Sequence, residues 1–257
     1  MASLRAQMSY PGSFLLEMAS QFASTFIGFI GIWALFHRFG QVHGWKLYEV
    51  GVFYGVINVT FAVADMMSHG FERFGREFIR TGDFDRVLLR PRAAALQILG
   101  HELQLQPLGR LAQGALVLAI SVHSLDVAWG AGNVSLIAFA MAGGVALYVG
   151  LMALQATLAF WTVESLELVN IVTYGGAEAA QYPLDIYAGW FRKLLTFVVP
   201  VACVSYYPLT VALGRWSGES AAAQWLATLS PLAGFAFLAL SLRAWRMGVR
   251  RYASAGG

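Results

Sequence analysis

Apolar residues in this 257-residue chain come in blocks of about 20, each long enough to cross a roughly 30 Å hydrocarbon layer as a helix. Lipid offers no partner to a backbone N–H or C=O, so repeated blocks of that length dictate an all-α polytopic membrane protein. Composition agrees: 58% of residues are hydrophobic and 12% charged, where a soluble domain carries about a quarter charged. Six transmembrane helices are expected, at 13–36, 50–69, 108–125, 134–161, 194–213 and 224–242, within a single domain, 1–257. The first block is too long for a signal-peptide core and no small-x-small cleavage site follows it. Between the blocks lie a long charged segment, 70–107, and a less apolar stretch, 162–193, with Glu164, Glu167, Glu178 and Asp185. The run 166–172 within that stretch is too short to span, which predicts a cytoplasmic elbow or interfacial helix. The tail 253–257 reads as disordered.

Positive residues set the orientation, because cytoplasmic loops hold the excess of Lys and Arg. With the N-terminus inside, fourteen of the seventeen fall on the cytoplasmic side: Arg5, the seven arginines from Arg73 to Arg110, Arg192, Lys193 and the four from Arg243 to Arg251. Only Arg38, Lys46 and Arg215 face out, so both termini are expected in the cytoplasm. The formal charge of +3 reflects these flanking residues rather than a soluble basic patch, so nucleic acid is not an expected partner. A single cysteine, Cys203, excludes an intrachain disulfide.

Catalytic patterns are missing. His37, His43 and His123 belong to the outer side and His69 and His101 to the inner, so no common metal site is expected. His101-Glu102-Leu103-Gln104-Leu105 has leucine where a zinc-protease motif needs its second histidine. No phosphate loop and no nucleophile elbow occurs. Pro200, Pro208 and Pro231 in the last two blocks read as structural kinks.

Two stripes stand out instead. Glu17, Gln21, Ser24, Gly28 and Gly31 share one face of the first span, and Gly51, Gly55, Asn58, Ala62, Asp65 and His69 one face of the second. Small residues let helices approach closely, and Gly51-x-x-x-Gly55 is a packing pattern of that kind. The carboxylates Glu17 and Asp65 are too costly to face lipid, so they are expected to face the bundle interior or water, paired with an arginine or lining a pathway. The stripes are candidates for the subunit interface or pathway.

In the segment after the second span, Phe71, Phe74 and Phe78 share one helical face, with Glu72, Arg73, Arg76, Glu77 and Arg80 around the rest. This predicts a short amphipathic helix ending at Gly82, then a second turn capped by Asp83 that stops before Pro91. A surface-lying helix is the plainer reading.

The order of helix, helix and then Phe78-Ile79-Arg80-Thr81-Gly82-Asp83-Phe84-Asp85-Arg86-Val87-Leu88-Leu89-Arg90-Pro91 resembles the type-2 ATP-binding-cassette exporter permeases, in particular their six-helix bacterial branch. Phe160-Trp161-Thr162-Val163-Glu164 after the fourth span and Tyr182-Pro183-Leu184-Asp185-Ile186-Tyr187 before the proline-containing fifth extend the resemblance over nearly the whole chain. It implies a permease of the bacterial inner membrane that pairs with a second permease chain, identical or related, amid membrane lipid. It further implies a separate ATPase subunit that binds ATP and Mg, outward movement of an unidentified substrate, and no catalytic site, cofactor or metal in this chain. A coupling role would then fall on Phe71, Glu72, Arg73, Phe74, Arg76, Glu77, Phe78, Arg80, Gly82, Asp83, Asp85, Arg86 and Arg90. Among the rivals, an ion-coupled secondary transporter would show several mid-membrane carboxylates and two related halves. Neither is evident. A membrane enzyme is disfavoured by its scattered histidines, and a non-transporting membrane scaffold is the remaining alternative.

Overall fold

The computed structural model describes residues 10–162, 166–216 and 220–252, without the side chains of 166–168 and 170. Arg5, Glu164, the Glu167 side chain and the tail 253–257 lie outside the described residues. Helix α1 is Pro11–Phe39, opened by a proline whose missing N–H costs nothing in the first turn and closed by Gly40 at φ +73°. Helix α2, Leu47–Glu72, starts where the Lys46 N–H donates to Glu49 at 2.8 Å. After it come α3 (Phe84–Leu88), α4 (Ala94–Leu99), α5 (Leu108–Ser124) and α6 (Ala131–Leu158). The chain continues through α7 (Leu166–Ala180), α8 (Gly189–Lys193), α9 (Val201–Val204), α10 (Tyr206–Ala212), α11 (Ala221–Leu229) and α12 (Leu232–Arg251).

Among the described residues, four helices are long and apolar enough to cross a membrane: Pro11–Phe39, Leu47–Ile79, Ala131–Leu158 and Leu232–Arg251. A pair bent by 77°, Gly189–Val198 with Val201–Ala212, has the length and apolarity of a broken span or a re-entrant loop.

Glycines decide how the bundle closes. A Cβ on Gly55 would lie 2.6 Å from Leu118 Cβ and 2.9 Å from the Gly114 carbonyl, and one on Gly114 would lie 2.8 Å from Asn58 Cβ. Gly51 likewise faces Ser121. Helices α2 and α5 therefore run antiparallel with their backbones nearly touching. Gly143 meets Pro231, Gly150 meets Leu238 and Gly248 meets Phe160, so α6 and α12 run side by side in the same direction. Met18 and Phe22 of α1 pack on Gly109 at the start of α5, and Trp245 of α12 packs on Phe71 and Phe74 at the end of α2. Residues 11 and 251 consequently lie at the same end of the bundle.

Four expectations change. The phenylalanine segment is no separate surface helix: α2 continues through Glu72 into a π turn, Gly75–Ile79, because no breaker intervenes and Phe71, Phe74 and Phe78 bury against one core. The 194–213 helix is split, because Pro200 lacks an N–H and Val199 is extended (φ −120°, ψ 94°), bending the chain by 77°. The helix expected at 224–242 starts earlier, at Ala221, breaks at Ser230-Pro231 and runs on to Arg251. Finally, 162–193 is no elbow outside the bundle. Helix α7 packs on α2 and α6, and Asp185 accepts the Trp45 indole N–H at 2.9 Å, at the end of α2 opposite Glu72.

Candidate functional site

Two regions gather the polar residues of the bundle. The first is the end where α2 and α12 finish. Here Phe74, wholly buried, lies 4.8 Å from Trp245, 5.0 Å from Phe84, 5.1 Å from Phe160 and 5.8 Å from Phe78, ring centre to ring centre. Phe71, Phe78 and Phe84 are buried in the same core. Their i, i+3, i+7 spacing fits a surface-lying amphipathic helix, and the chain's own helices cover that face instead. Around this aromatic block runs a charged rim. Arg73 pairs with Glu77 at 2.8 Å and reaches Glu102 at 3.7 Å, and Arg86 pairs with Asp83 at 3.2 Å. Gly82 turns the rim at φ +77°, a conformation open to glycine. Asp83 precedes α3 as expected, but its carboxylate accepts from the Thr81 hydroxyl rather than capping the helix. Arg76, Arg80 and Arg90 are exposed, and Asp85 is half-buried. The Tyr252 phenol, 5.0 Å from the Phe84 ring, is pushed above its usual range by burial first and by the Asp85 charge second. The rim is thus fastened through rings to α2, α6 and α12 together.

The second region is a polar seam along α2. Arg110 Nε donates to Asn58 Oδ1 at 2.7 Å, its guanidinium lies 4.4 Å from the Phe61 ring centre, and Glu178 of α7 stands 3.6 Å away. Arg110 is buried, while Glu178 is 67% exposed. Toward the end of α2, His69 Nδ1 is 3.3 Å from Glu72, which also accepts from the Tyr174 hydroxyl at 3.3 Å. Asp65, His69 and Glu72 offer ligand atoms within 4.8 Å of one another, so this face has the makings of a cation site that the scattered histidines concealed.

The α2 stripe divides accordingly. Gly51, Gly55 and Asn58 pack on α5 of the same chain, while Asp65 belongs to the seam. On α1, Glu17, Ser24, Gly28 and Gly31 are exposed and Gln21 is half-buried, so that stripe lies on the outside of the bundle. The two helices are tied where the Tyr54 hydroxyl donates to the Thr25 carbonyl at 2.6 Å. Arg110 is the seam residue to which the sequence assigned no partner. It lies in the first turn of an apolar block, and that position was the available signal.

A third cluster ties the opposite end. Arg215 Nε pairs with Glu49 at 2.9 Å, also donates to the Gly44 carbonyl, and lies 4.8 Å from the Trp45 ring centre.

No curated protein and no solved structure matches the chain. A family model does: residues 22–256 match that of the ABC-2 family transporter proteins. An all-helical chain with several apolar spans is what a membrane transport component of that kind requires. Matched over nearly its whole length, the chain belongs to the ABC-2 transporter family.

Proposed function

We infer that the chain is the membrane-spanning permease of an ATP-binding-cassette exporter of the bacterial inner membrane. In this reading it moves a substrate outward on ATP hydrolysed by a separate subunit, which holds the nucleotide and Mg, and it forms its pathway with a second permease chain. The match over residues 22–256 carries the reading. The rim supports it: a chain without a nucleotide motif needs an element through which a partner's closure can act, and a push on Arg73 to Arg90 is transmitted by the Phe74 block to three long helices at once. Coupling of this kind is thermodynamic, since the ATPase must bind one arrangement of the permease better than the other. Six crossings with both ends in the cytoplasm complete it. The stretch from α7 to Asp185, which runs from the Glu72 end of α2 to its Trp45 end, counts as one and α11 with α12 as another. Helix α5, at 17 residues, reaches about 26 Å, near the lower limit for a span. The bent α8–α10 pair, flanked by Asp185 and Arg215 at the Trp45 end, re-enters rather than crosses.

The test is ATP hydrolysis by the cognate ATPase, alone and with this chain in lipid nanodiscs. Stable association and an altered rate are expected. An ATPase that neither binds the chain nor changes its rate overturns the reading.

A further inference from the structure

Where α12 leaves the bundle, it and α4 enclose a cleft of about 630 Å³ floored by Phe71, Val149 and Trp245. Along its α12 wall, beside Trp245 and Val249, runs the stripe Leu238, Leu242, Arg246 and Arg250, each four residues after the last. One helix face thus changes from leucine to arginine over about 18 Å. Leu96 and Leu99 of α4 close the other side, and among the described residues no carboxylate lines the cleft. The leucine half is deep: a Cβ on Gly150, within the α6 span, would lie 3.1 Å from Leu238 Cα. The arginine half lies level with Trp245 and Phe71, where α2 ends and the charged rim begins.

Apolar at bilayer depth and basic at the boundary is the order of a phospholipid read from tail to headgroup. Guanidinium forks match phosphate oxygens, and basic pockets between membrane helices recognise anionic headgroups. A protein partner would have to enter the bilayer to fill the leucine half. Arginines at the end of any membrane helix attract anionic lipid in a diffuse way. What sets these two apart is the cleft below them. We propose that this cleft binds one anionic glycerophospholipid of the leaflet at this end of the bundle, its phosphate between Arg246 and Arg250 and an acyl chain along Leu238 and Leu242. The site is separate from the rim and stands whatever the transport reading's fate.

The full chain is placed in phosphatidylcholine nanodiscs carrying a minor share of phosphatidylglycerol, and retained lipid is read by native mass spectrometry. Wild type should retain phosphatidylglycerol preferentially, and Arg246→Gln with Arg250→Gln should cut that preference about tenfold or more. Leu242→Trp fills the cleft with both arginines intact and should cut it too, while Arg243→Gln, outside the cleft, should leave it unchanged. No preference in wild type overturns the site. Full retention by Leu242→Trp would mean diffuse charge attraction only, and equal competition by free glycerol phosphate would mean an anion site without a lipid. If the double variant keeps its lipid but sheds the ATPase, the arginines serve a protein interface and the proposal falls.

Discussion

Replacing Phe74 with alanine separates a core residue from a partner anchor. Phe74 is 0% exposed and touches four aromatic rings. A buried Phe→Ala change costs about 3–5 kcal/mol, because the cavity only partly collapses. Four aromatic pairs, each worth about 0.5–1.5 kcal/mol beyond area burial, place this site in the upper half of that range. For a chain of this size 1 kcal/mol moves the thermal midpoint by about 2–4 °C, so a drop of about 10 °C is expected. The assay is thermal unfolding of the purified chain in nanodiscs, followed by tryptophan fluorescence, with Phe197→Ala as the exposed control (82% exposed). The control should unfold with wild type. A Phe74→Ala chain that unfolds with wild type yet loses its ATPase would refute the placement of this ring in the chain's own core.

Gly55→Leu should prevent close approach of α2 and α5, since even a Cβ would crowd Leu118 and Gly114. Overpacking costs about 1–3 kcal/mol or more, read as loss of folded monomer in detergent. Trp45→Phe removes the donor to Asp185 and should cost about 1–3 kcal/mol in the same melt, the Asp185 carboxylate being left unpaired; an unchanged midpoint would detach α7 from the start of α2. Single cysteines at Lys46 and Asp126 should react with an impermeant thiol reagent from outside, and one at Arg86 should not. External labelling at Arg86 would invert the topology.

Much of this architecture was legible because lipid restricts the options. Block length alone marks α1, α2 and α6, and periodicity finds Gly51 and Gly55 as packing positions. Legibility failed where two partners compete for one face. Phe71, Phe74 and Phe78 have the spacing of an amphipathic anchor, and nothing local reveals that Trp245 and Phe160, far along the chain, take up that face. The 162–193 stretch misled for a related reason. Its carboxylates suggest water, but Glu178 has Arg110 and Asp185 has Trp45, partners distant in sequence that let a charged segment enter the bundle.

The central claim is that a partner ATPase engages the exposed charges of the rim while the rings beneath them hold the permease together. Reversing Arg76, Arg80 and Arg86 together to glutamate leaves every ring in place, and rim charges govern register and partner choice more than stability. The most direct measurement is co-purification of the ATPase with this variant against wild type, beside their thermal midpoints. The account predicts an unchanged midpoint and loss of the ATPase from the variant alone. Full retention of the ATPase by a folded variant would contradict it.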